Sequence, residues 1–151
     1  MDNNRTYTIM EAAKLSGLPE STLRYYETIG IIDPIKRDAS SKHRVYSEDD
    51  INLIVGIACL SATGMSIDDM RTYLSNADRG EDAANEQVEL LEAQGHRLAD
   101  EERYLKLRQN YLHTKVQYWK AIASKNESLA NEISKQALAI AKELKVPRGN
   151  S

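Results

Sequence analysis

The run Leu23-Arg24-Tyr25-Tyr26-Glu27-Thr28-Ile29-Gly30-Ile31-Ile32-Asp33-Pro34 constrains the fold more than any other stretch of this chain. It reads as a short helix that Gly30 stops, after which Pro34 fixes an extended exit. Leu23 and Tyr26 lie three apart and point inward with Ile31 and Ile32. Ser21, Arg24, Tyr25 and Thr28 follow the i, i+3, i+4, i+7 rule on the other side. An Arg, two hydroxyls and a phenol on one exposed face are the groups that read base edges and grip phosphates. The alternative for such a face is a solvated surface with one ordinary Tyr.

The flanking sequence completes a module. Thr8-Ile9-Met10-Glu11 is a capping box, and Ile9, Ala12, Ala13 and Leu15 give the short helix after it an apolar side. Ser16-Gly17 ends that helix and Pro19 suits the start of the next. Two short helices joined by a Gly-containing turn predict a helix-turn-helix. Lys36-Arg37-Asp38-Ala39-Ser40-Ser41-Lys42-His43-Arg44-Val45-Tyr46 then reads as a two-stranded wing with a polar tip. Ser47, with Asp50 three residues on, caps a helix from Glu48 to about Ala62 that carries Ile51, Ile54, Val55 and Ala58. Gly64 ends it, and Ser66-Ile67-Asp68-Asp69 opens a further helix with Met70 and Leu74. On that helix Arg71 and Tyr73 are candidates for the DNA backbone or for plain solvation.

The net charge is −3, without the basic excess of many nucleic-acid binders. Between Arg24 and Arg44, however, five basic residues face three acidic ones, and phosphate meets local charge rather than the global sum. No stretch approaches the 18 or so apolar residues that a membrane span needs. Residues 1–5 show no apolar signal segment. The single cysteine, Cys59, excludes an internal disulfide framework and, with the rest, predicts a cytoplasmic chain.

Arg24-Tyr25-Tyr26-Glu27, Gly30, Pro34, Arg44, Tyr46 and Ser47 together resemble the MerR family of winged-helix transcription regulators. The resemblance is close over the first half and architectural over the second. In one departure, Lys42-His43 stand where the family commonly places a Gly-Tyr pair. The resemblance implies a mainly α fold with a winged helix-turn-helix head, a long dimerisation helix and a short C-terminal helix. It implies double-stranded promoter DNA as partner, contacted by Ser21, Thr22, Arg24, Tyr25, Lys36, Arg37, Lys42, His43, Arg44 and Tyr46. It further implies a homodimer that distorts badly spaced promoters and so acts on RNA polymerase indirectly, as an activator responding to a stress signal. An architectural or anchoring DNA-binding protein with a coiled-coil tether is the alternative.

The expected organisation is a DNA-binding domain over residues 5–75, a polar hinge at 76–81, a dimerisation helix over 82–122 and a C-terminal helix over 123–146. Leu91, Leu98, Leu105, Leu112 and Trp119 recur every seven residues. Val88, Gly95, Glu102, Gln109, Val116 and Ala123 make the half-polar companion position. That pattern favours an antiparallel or irregular coiled-coil dimer over a tight zipper. The helix would be roughly 60 Å long at 1.5 Å per residue. Tyr104, Tyr111 and Tyr118 run beside the seam, either packed or lining an effector pocket. Ser124 with Glu127 predicts the next cap. Leu129, Ile133, Ala137, Ile140 and Leu144 form one face of a tail helix that folds back on the dimer helix or on its partner, and that Val146-Pro147 ends. The large drug-binding domain of some family members is expected to be absent.

Metal-sensing relatives place two or more cysteines near the end of the dimer helix, and Trp119 to Glu127 has none. The three histidines, His43, His96 and His113, are too scattered for a metal cluster, and soft metals prefer thiolates. No metal site, cofactor or catalytic triad is expected, and an enzyme is excluded. Cys59 stands where an aldehyde- and thiol-responsive branch of the family carries its reactive cysteine. It is either that sensor or an inert buried side chain.

Overall fold

Local signals set the ends of nearly every helix in the computed structural model, which describes residues 5–144. The order is α1 (Ile9–Ser16), α2 (Glu20–Thr28), α3 (Glu48–Ala62), α4 (Ile67–Arg79), a 3-10 turn at Gly80–Ala83, α5 (Ala84–Ala123) and α6 (Glu127–Leu144). The architecture is therefore mainly α, with a helix-turn-helix head and a long helix after it. Thr8 accepts the Glu11 amide and Glu11 accepts the Thr8 amide, closing a capping box. Ser47 and Asp50 do the same for α3, and Ser66 accepts the Asp69 amide at the start of α4. Each satisfies an amide that the first helical turn leaves without a partner.

The chain divides into a first unit ending at Gln94 and a second beginning at Gly95. The core of the first unit gathers Leu23 and Tyr26 of α2 with Ile31, Ile32, Ile35, Tyr46, Ile51, Ile54, Ile57, Met65 and Met70. Gly30 makes this possible. At φ 79° it closes a Schellman motif, with the Ile31 amide donating to Tyr26 O at 2.9 Å and the Gly30 amide to Glu27 O at 3.2 Å, which throws Ile31 and Ile32 inward.

Three features differ from the sequence expectation. The wing is not a two-stranded hairpin: among the described residues the only pairings are single bridges, Arg37 with Arg44 and Tyr7 with Tyr46. Its tip turns too tightly for a ladder to extend, with Lys42 in the left-handed region at φ 65°. The segment 76–81, expected as a short polar hinge, is helical: α4 continues through Asn76 to Arg79 and passes into the 3-10 turn. Asn76 is buried and donates to Gln87 Oε1 at 3.1 Å, while Gln87 donates to Tyr73 O at 2.8 Å. Asn76 is thus a buried, hydrogen-bonded contact, while residues 77–81 are exposed. Third, α6 is capped by Asn126, whose Oδ1 accepts the Leu129 amide at 3.1 Å, and not by Ser124, whose hydroxyl donates to Ala121 O.

In the second unit α6 folds back on the end of α5. Ala130 and Ile133 meet Ala121, with Tyr118 against them. The inward face is Ala130, Ile133 and Ala137, while Leu129 stays exposed. Val146 and Pro147, expected to end the helix, lie outside the described residues. No described helix is long and apolar enough to cross a membrane.

Candidate nucleic-acid interface

The two faces of α2 separate as its periodicity requires. Leu23 is 1% exposed and Tyr26 6%, whereas Tyr25 on the opposite side is 55% exposed. Ser21, Arg24 and Thr28 are exposed beside it, and Thr22 is half-buried. Thr28 donates its hydroxyl to Arg24 O at 3.0 Å. The inner side is anchored by Tyr26, whose phenol lies 3.4 Å from Ser61 Oγ on α3. Arg71 of α4 donates to Ile29 O at the end of α2, a cation placed where the helix dipole is negative. Arg71, a candidate for the DNA backbone from sequence, thus braces the helix.

Beyond α2 the wing presents Lys36, Arg37, Lys42 and His43, all exposed. Its return is held by Val45 N–H to Lys36 O at 2.7 Å and Asp38 N–H to His43 O at 2.8 Å. At the tip, Asp38 accepts the Ser41 amide at 2.9 Å and the Ser40 hydroxyl at 2.7 Å. The Ser41 amide, then the serine hydroxyls, hold the Asp38 carboxyl down at about 2. Lys42 lies in the left-handed region at φ 65°, the backbone state that glycine adopts without cost.

Two expected contact residues lie elsewhere. Tyr46 is 1% exposed: it is a core residue whose backbone pairs with Tyr7, and burial pushes its phenol pKa up. With its side chain in the core cluster, it presents no face to a duplex. Arg44 is half-buried and engaged by Glu27, its Nε donating to Oε1 at 3.1 Å. Glu27 is the site residue that sequence reasoning missed. The available signal is a carboxylate three residues after Arg24, beside the inward-facing Tyr26. Tyr7 was also missed. Its phenol donates to Glu48 Oε2 at 2.6 Å, and that bond, with burial, raises its pKa.

Cys59 is free and exposed on the last turn of α3, so the buried alternative does not describe it. Leu91, Leu98, Leu105, Leu112 and Trp119 are between 41% and 65% exposed along α5, with Val88, Val116 and Ile122 beside them. Tyr104 and Tyr111 are half-exposed under Arg108 and Lys115, and Tyr118 packs on α6. Among the described residues no cluster of three or more His, Cys, Asp or Glu could hold a metal ion.

An exposed Arg- and Tyr-bearing second helix, braced at its C-terminal end by α3 and α4 and flanked by a cationic wing, defines a winged helix-turn-helix protein. The profile of the MerR HTH family regulatory protein matches residues 7–77. A helix-turn-helix transcriptional regulator of Haemophilus influenzae is 31% identical over 106 residues, covering 68% of this chain and 78% of its own. AdhR of Bacillus subtilis is 38% identical over 97 residues, covering 64% of each chain. The chain spans only 50% and 64% of the length of the first curated relatives it matches. Among solved structures, HiNmlR, a MerR family regulator lacking the sensor domain and bound to promoter DNA, superposes with a TM-score of 0.62 at 29% identity, over 83% of this chain and 96% of that one. The chain belongs to the MerR family. Its relatives are transcription regulators, not enzymes.

Proposed function

We propose that this protein is a homodimeric, sequence-specific regulator that binds promoter DNA through α2 and the wing. The observation that carries the reading is the segregation of α2: Leu23 and Tyr26 are buried while Tyr25, Arg24 and Ser21 stand out, next to the exposed cations Lys36, Arg37 and Lys42. Arg24 would read a base edge, and the wing cations would take phosphates. The structural relative bound to promoter DNA supports the DNA-binding reading.

Dimerisation follows from α5. Five large apolar side chains at seven-residue spacing, each more than 40% exposed, form a stripe that a second copy would cover. Two heads would then meet successive major grooves of a pseudo-palindrome. Bending a promoter of that size costs about 1–6 kcal/mol, offset by contacts that the bend allows. RNA polymerase would respond to the altered promoter geometry rather than to direct contact.

Cys59 is the candidate sensor of an electrophilic stress signal. It is exposed on the last turn of α3, within reach of a small electrophile. Transcription in vitro from a bound promoter, with and without an aldehyde, tests the assignment in wild type and Cys59→Ser. The response should disappear in the mutant; an equal response in both removes Cys59 from the account.

A further inference from the structure

The carboxylate of Glu27 holds both legs of the wing at once. Its Oε1 accepts the backbone amide of Ile35, on the outgoing leg, at 3.3 Å. The same oxygen accepts Arg44 Nε, on the return leg, at 3.1 Å, and Oε2 accepts Arg44 Nη2 at 3.5 Å. The two side chains are 17% and 18% exposed. By contrast the pairs Arg79–Glu86, Arg103–Asp100 and Lys106–Glu102 are at least half exposed, where water and salt erase most of the attraction. The legs are joined to each other just beyond, through Val45 N–H to Lys36 O and the Arg37–Arg44 bridge.

A negative charge on this helix is otherwise a liability, since it opposes the phosphates that Arg24 and Lys36 would meet. We propose that Glu27 and Arg44 are positioning residues: their forked pair fixes the wing at a set offset from α2, so that helix and wing engage one duplex together. The proposal rests on the DNA-binding reading above. A rigid tie makes the second set of contacts intramolecular once the first has formed, which multiplies affinity without adding a contact. Arg44 then acts through the wing rather than on a phosphate.

The sign of one substitution separates this role from a purely electrostatic one. Glu27→Gln removes a negative charge near DNA, so by charge alone it strengthens binding. If Glu27 positions the wing, the same change weakens it. The test uses the full chain and a duplex that wild type selects from a random pool, titrated over a range of salt, with folding checked by circular dichroism. Glu27→Gln should lose about tenfold in affinity. Its salt slope should drop by more than the roughly 0.9 that a single phosphate contact contributes, because several wing cations disengage together. Lys36→Ala, costly in wild type, should cost little in the Glu27→Gln background. Arg44→Lys keeps the charge and loses the fork, and should resemble Glu27→Gln. Binding by Glu27→Gln that equals or exceeds wild type at an unchanged slope overturns the positioning role alone. A folded wild type that retains no duplex overturns the DNA-binding reading and this role with it.

Discussion

Gly30→Ala isolates what the left-handed end of α2 is worth. Gly30 has φ 79°, and a methyl group there would meet nothing closer than Arg71 Nη1 at 3.7 Å. Ordinary contact at that distance means the cost is conformational and not steric. Holding an L-residue in the left-handed region costs about 1–2 kcal/mol. The loss of unfolded-chain freedom on replacing Gly returns about 0.4–1 kcal/mol. The net expectation is a destabilisation of about 1 kcal/mol, or about 4–8 °C in Tm for a domain of this size. Urea unfolding at one fixed protein concentration measures it, since a dimer's stability depends on concentration. The junction of α5 and α6 supplies the mirror experiment. There Lys125 sits at φ 59° in a second Schellman motif, with Asn126 N–H to Ala121 O at 2.9 Å and Lys125 N–H to Ile122 O at 3.0 Å. Lys125→Gly should therefore stabilise the chain, by roughly 0.5–1 kcal/mol. A Gly30→Ala protein as stable as wild type, or a Lys125→Gly protein less stable, would refute the argument from backbone conformation.

Other consequences are checked separately. Arg24→Ala should cost about 1–3 kcal/mol at the base pair it reads and relax specificity there, measured by binding to single-base operator variants; an equal loss on random DNA contradicts the assignment. Lys36→Ala should weaken all sequences alike and lower the salt slope by about one. Leu98→Asp, on the exposed stripe of α5, should raise the dimer dissociation constant at least about tenfold in sedimentation equilibrium; an unchanged dimer places the seam elsewhere. For Asp38 the folded pKa, about 2, lies below its ordinary 3.8. Its contribution to the wing tip is thus present above about 3.8 and fades as pH falls through about 2. The Ser41 amide resonance should follow that titration, and a midpoint near 3.8 would mean the tip hydrogen bonds do not persist in solution.

Much of the head was legible in sequence because its signals are local. Thr8 with Glu11, Ser47 with Asp50 and Ser66 with Asp69 each set a helix start within four residues of chain. Leu23 and Tyr26 were assigned inward by spacing alone. What sequence missed depends on partners far along the chain. Arg44 looked like a phosphate ligand because its partner, Glu27, lies 17 residues away. Tyr46 looked like a wing-surface residue because its pairing with Tyr7 cannot be read from either segment. Asn76 looked like part of a hinge because its hydrogen bond to Gln87 is tertiary. Ser124 and Asn126 both suit a helix start, and only backbone geometry after Lys125 chooses Asn126. The heptad of α5 is legible as a stripe, whereas one chain's sequence does not say what covers it; a second copy is the occupant proposed above.

Specific DNA recognition by a dimer is the central claim, and one titration addresses it most directly. Fluorescence anisotropy of the full chain against its selected pseudo-palindromic duplex and a scrambled duplex, at one stated salt concentration, gives both affinity and stoichiometry. The account predicts two chains per selected duplex and a preference of at least about 10³ over the scrambled one. Equal affinity for the two duplexes, or one chain per site, would contradict it.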